Sequence, residues 1–98
     1  MKILLDEVEG SGNWDVKIIV FPKEGEICWH LHIVNTVDQH DILVEQIQLC
    51  GEMDPDKKSD IKKLLEKYDL GHRFNEVTKK LVSKITEMAQ IVQVHKVG

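Results

Sequence analysis

Residues 27–35, ICWHLHIVN, alternate Ile27, Trp29, Leu31 and Ile33 with Cys28, His30, His32 and Val34. A period of two with β-branched and aromatic residues fits a strand with one apolar face. It does not fit a helix, whose faces recur every 3.6 residues. A lone strand has no use for such a face, so the rest of the chain must supply neighbours and a cover for it.

The neighbours come first. Residues 2–9 open with Ile3, Leu4 and Leu5 and then mix in Asp6, Glu7 and Glu9. That is an edge strand whose acids discourage unwanted pairing. Gly10-Ser11-Gly12-Asn13 is a turn, because Gly and Asn tolerate positive φ. In residues 14–21, Trp14, Val16, Ile18 and Val20 alternate with Asp15, Lys17, Ile19 and Phe21, and Pro22 is expected to close that strand. Residues 36–41 read as a polar loop. Residues 42–50 form a fourth strand with a flawed pattern: Leu43, Ile47 and Leu49 suit the core, yet Glu45 falls among them. A β-bulge is expected to turn Glu45 outward and leave Ile42 and Val44 on the opposite face.

After Gly51 the period changes to that of a helix. Asp54-Pro55 combines an N-cap with a proline at the first helical position, where no N–H is required. Ile61, Leu64, Leu65 and Tyr68 continue a helix over residues 55–70, with Gly71 as its left-handed terminator. Phe74, Val77, Leu81, Val82, Ile85, Met88, Ala89 and Val92 carry a second helix over residues 72–93. Residues 91–97 are β-branched and suit either more helix or a fifth strand. We read helix to residue 93 and then a short extended tail. Strands followed by helices, with short connections, define an α+β class. The expected architecture is one domain over residues 1–98, a four-stranded antiparallel β-meander with two C-terminal helices packed on one face. That face holds Trp14, Val16, Ile18, Trp29, Leu31 and Ile33.

Composition narrows the function. The chain begins MKILLDEVEG, too short an apolar run for a signal peptide, and no stretch approaches the roughly 20 apolar residues of a membrane span. A cytoplasmic protein is therefore expected, with Cys28 and Cys50 as free thiols. The net charge of −4 is uneven: residues 1–54 hold 3 Lys against 11 Asp and Glu, and residues 55–98 hold 10 Lys and Arg against 6. Only one of those cations is Arg, and acids are interleaved with the lysines at helical spacing, as on a solvated face. With an isoelectric point near 5.7, nucleic acid is not the expected partner.

The face of the sheet that the helices leave open should be polar. Here it mixes Ile19, Phe21, Cys28, Val34, Ile42 and Val44 with Asp15, Lys17, His30, His32, Gln46 and Gln48. An apolar patch on an open sheet marks a contact surface. We expect a small interaction module that binds protein, a second copy in the simplest case. Phe21, Cys28, His30, His32, Val34 and Val44 form its interface. The alternative is a metal- or small-ligand-binding protein. Cys28, His30 and His32 project from one face at two-residue steps, and thiolate and imidazole both suit zinc, with His40, Cys50 or Asp15 completing the set. A catalytic version would use His30 or His32 as acid–base, oriented by Asp15 or Glu45. Gly10-Ser11-Gly12 precedes no helix, so it lacks the anion site of a phosphate loop. No other motif fixes a reaction, and the reading adopted is binding, with no cofactor.

Overall fold

The computed structural model describes residues 2–97, with side chains described to residue 93. It runs β1 (Leu4–Glu9), β2 (Trp14–Lys23), β3 (Glu26–Val37), β4 (His40–Cys50), α1 (Pro55–Lys67), a 3-10 turn (Gly71–Arg73) and α2 (Phe74–Val97). The strands form one antiparallel sheet in the order β1-β2-β3-β4, followed by the two helices. This is the α+β meander expected from the alternation and its change of period.

β1 starts at Leu4 rather than at residue 2, but β2, β3 and β4 are longer than expected because their turns are tighter. Glu24 (φ 49) and Gly25 (φ 82) join β2 to β3, and Asp38 (φ 50) and Gln39 (φ 66) join β3 to β4. Both residues of each turn have positive φ, the geometry whose twist matches that of paired strands. The polar loop expected over residues 36–41 is therefore mostly ladder. Thr36 stands opposite Asp41, and its Oγ1 donates to Asp41 Oδ1 at 2.8 Å. Pro22 does not close β2, which continues to Lys23. The Gly51 N–H donates to the Ile27 carbonyl at 2.9 Å, so the main-chain groups of Ile27 face β4 and ask nothing of Pro22 opposite. On its other side β1 has already ended, at Leu4 opposite Val20.

β4 contains a bulge, but it moves a different residue from the one expected. Ile33 pairs with Glu45 and Val34 with Leu43, which leaves Val44 as the extra residue. Glu45 stays on the helix side, and Leu43 crosses to the open side opposite Val34. Glu45 is tolerated there because α1 brings it partners. Lys67 Nζ lies 2.7 Å from its Oε1, and the Tyr68 hydroxyl donates to the same oxygen. The Lys67 ammonium first, and then the Tyr68 hydroxyl, hold the Glu45 carboxyl below the usual carboxylate range.

The bulge also sets what lies opposite Cys28. Counting regularly from the Asp38–Gln39 turn would place Leu49 there. The extra residue shifts the ladder by one and places Cys50 there instead. Deleting Val44 is therefore expected to regularise β4 while preserving every other pair. Mass spectrometry of the deletion variant should still show the Cys28–Cys50 bond.

The helices begin and end as their sequences require, with two corrections. Asp54 caps α1 by accepting from the Lys57 N–H at 2.8 Å, ahead of Pro55. The left-handed terminator is Asp69 (φ 58), not Gly71. Leu70 N–H returns to Leu65 O at 2.8 Å and Asp69 N–H to Glu66 O at 3.2 Å, which satisfies the last carbonyls of α1. The extended tail is not formed either. α2 continues to Val97, since the few tenths of a kcal/mol that β-branched residues cost a helix are small beside the packing of Met88, Ile91 and Val92.

The core lies between the sheet and the helices. Val16, Ile18, Val20, Trp29, Leu31 and Ile33 from the sheet meet Ile61, Leu65, Leu70, Val77, Leu81 and Met88, and all are fully buried. α2 lies against β1 and β2. Both helices are thus on one side of the sheet.

Candidate functional site on the uncovered sheet face

Register alone reconstructs the other side as four rows across the strands. From the disulfide end, the first row is Phe21, Cys28 and Cys50, and the second is Leu5, Ile19, His30 and Gln48. The third is Glu7, Lys17, His32 and Gln46, and the fourth is Glu9, Asp15, Val34 and Leu43. The first two rows are mainly apolar and the last two mainly polar.

Cys28 and Cys50 are joined in a disulfide, with Cα atoms 4.0 Å apart. The free thiols expected from the sequence are thereby corrected. Since Ile27 bonds to β4 through its main chain, Cys28 and Cys50 occupy the next, non-hydrogen-bonded pair, where opposed side chains come closest. Cys28 has no exposed surface, because Phe21 flanks it on β2 and Cys50 on β4.

Beside the disulfide three rings form a ladder. Phe21 meets His30 edge to face with centroids 5.1 Å apart, and His30 stacks on His32 at 5.6 Å. His30 Nε2 is 2.9 Å from Gln48 Oε1. His32 Nε2 is buried without a partner. Burial first, and then the neighbouring His30, lower the His32 pKa. The imidazole is thus held neutral at pH values where a free one would begin to protonate. Farther along, Lys17 reaches across β3 to Asp41 on β4, 2.8 Å away. The lysine stem crosses at the level of Val34, which is only 4% exposed. The shared hydrogen bond raises the Lys17 pKa and lowers that of Asp41.

The residues singled out from the sequence divide three ways. Phe21, His30 and His32 lie on this face and are half-buried. Cys28 and Val34 lie on it but beneath their neighbours, so they support the surface rather than present it. Val44 is the exposed bulge residue on the edge strand, and Ile42 pairs with Asn35 on the helix side. Leu5, which is 67% exposed, and Ile3, which is 52% exposed, extend the apolar surface beyond the residues that alternation singles out. Leu5 could have been found by extending the hairpin register from Ile19 across the Gly10–Asn13 turn.

The expected ligand sets also change. Cys28 offers no thiolate while bonded to Cys50. His40 stands at the opposite end of β4 from Cys50, and Asp15 pairs with Val34. Glu45 points to the other side of the sheet, so it orients neither histidine. Among the described residues, the donors that converge are Glu26, Cys28 and Cys50, whose ligand atoms lie within 4.8 Å of one another.

A groove of about 660 Å³ opens elsewhere, between the β2–β3 turn, the β4–α1 connection and α2. Ile27, Met53, Ile85 and Ala89 give it an apolar lining, and it contains no histidine. No helix among the described residues is long and apolar enough to cross a membrane. Comparison with protein-family models, curated proteins and solved structures found no match.

Proposed function

We propose that this chain is a small protein-interaction module of the cytoplasm that self-associates through the uncovered sheet face. The observation that carries the proposal is the apolar end of that face. Leu5, Ile19 and Phe21 lie together on β1 and β2, with Phe21 beside Cys28 of the disulfide and Ile3 beyond Leu5, and both helices are on the far side of the sheet. Four strands about 4.8 Å apart, with about eight residues along each, make a face on the order of 500 Å² in projection, and more once side chains are counted. That approaches the roughly 800 Å² per partner of a standard interface.

A second copy is the occupant that matches the pattern. A two-fold axis along the strands lays β2 of one copy over β3 of the other and β1 over β4. Phe21 then meets the disulfide, Ile19 meets the His30 ring, and Leu5 meets Gln48. Glu7 and Lys17 meet the uncharged Gln46 and His32, so no like charges are opposed. The test is sedimentation velocity over a concentration series. The wild type is expected to be a dimer. Leu5→Glu and Ile19→Lys are expected to weaken it on the order of 30-fold or more, the effect of about 2 kcal/mol at an interface centre, with urea midpoints close to wild type. A monomeric wild type, or variants that remain dimers, would contradict the proposal.

A further inference from the structure

We propose that the Cys28–Cys50 pair, once reduced, forms with Glu26 a binding site for a thiophilic divalent cation such as Zn²⁺. Three observations converge. The cysteines are directly opposed on β3 and β4 with Cα atoms 4.0 Å apart, so the ladder itself keeps both sulfurs side by side when the bond opens. Glu26 is two residues before Cys28 on the same strand and projects to the same side. Its carboxylate oxygen and both sulfurs already lie within 4.8 Å of one another. A tetrahedral zinc, with bonds of about 2.3 Å to sulfur and about 2.1 Å to oxygen, holds its donors roughly 3.5–3.8 Å apart. Opening the bond moves the sulfurs toward that spacing. Glu26 is exposed and Cys50 half-buried, so an ion has an approach, while Cys28 forms the floor.

The chemistry balances with a small thiol as reductant. Two RSH open the disulfide, RS–SR carries away the oxidation, and Cys28 and Cys50 each gain a proton. The cation then displaces those two protons and takes two thiolates and one carboxylate. The complex carries a net charge of −1 and has a fourth position for water. The site thus exists in a reducing compartment and is abolished by oxidation. The histidines do not belong to it: His30 is engaged with Gln48 and Phe21, and the free nitrogen of His32 is buried.

The test uses the full chain, reduced with a phosphine, desalted without oxygen and titrated with Co²⁺ as the probe for zinc. One Co²⁺ per chain is expected, with a sulfur-to-cobalt charge-transfer band and the release of two protons, and none in the oxidised protein. Glu26→Gln should weaken binding by about tenfold or more, while His30→Gln with His32→Gln leaves it nearly unchanged. If reduction alone unfolds the chain, Zn²⁺ should restore the far-ultraviolet signature of the folded protein. The proposal is overturned if two titratable thiols give no charge-transfer band, or if an unfolded reduced chain stays unfolded with Zn²⁺. It is equally overturned if the histidine pair abolishes binding and Glu26→Gln does not.

Discussion

Trp29→Ala is expected to lower the stability of the domain by about 3–5 kcal/mol, the usual cost of deleting a large aromatic ring from a core. Trp29 sits on β3 between Val20 of β2 and Leu49 of β4 and has no exposed surface. A chain of 98 residues has a margin of roughly 5–15 kcal/mol, at about 0.05–0.15 kcal/mol per residue. The substitution thus consumes a large share of that margin, and its urea midpoint should fall steeply. Trp29→Phe serves as the comparison. The indole N–H is buried without a partner, so the wild type already bears the cost of an unsatisfied donor. Phe removes that donor along with one ring, and the two changes oppose each other. Its loss should stay below about 1.5 kcal/mol. An alanine variant within 1 kcal/mol of wild type would mean that this side chain is not where the core is.

Reduction of Cys28–Cys50 is the second large effect. The two residues are 22 apart in sequence, and a loop of that size constrains the unfolded chain by about 3 kcal/mol in the chain-entropy account. Adding reductant should lower the urea midpoint accordingly. The double variant Cys28→Ala with Cys50→Ala should start near the reduced midpoint and ignore reductant. A wild-type midpoint that does not move on complete reduction would show that the crosslink contributes nothing. The effect bears on setting as well. Disulfides persist in oxidising compartments and are rare in the cytosol. The cytoplasmic role proposed here therefore implies that the chain works with the pair open for much of its life.

The order of the strands, the position of the helices and the identity of the covered face were all legible, because each rests on a period that few other folds satisfy. What escaped was register. Thr36, Asp38, Gln39 and Asp41 look like a loop until two of them turn out to be cross-strand partners around a turn with two positive φ values. Glu45 looked misplaced because its partners, Lys67 and Tyr68, come from a helix 22 and 23 residues later. The flawed alternation of β4 signals a bulge but not its place at Val44, since an extra residue anywhere in the strand breaks the pattern alike. The disulfide escaped because the cysteines were placed by compartment, whereas the bulged register sets Cys28 opposite Cys50. Of the candidate surface, Phe21, His30 and His32 were legible from phase alone. Leu5 was not, because it belongs to a short strand whose phase depends on the turn that follows it.

The most direct test of the central claim is an isotope-filtered NOE spectrum of a sample mixed from labelled and unlabelled chains. Contacts between chains are expected from Leu5, Ile19 and Phe21, with Phe21 of one copy close to the Cys28 and Cys50 β-protons of the other. Filtered contacts arising only from the edge residues Ile42 and Val44, or none at concentrations where the chain is dimeric, would contradict self-association through the sheet face.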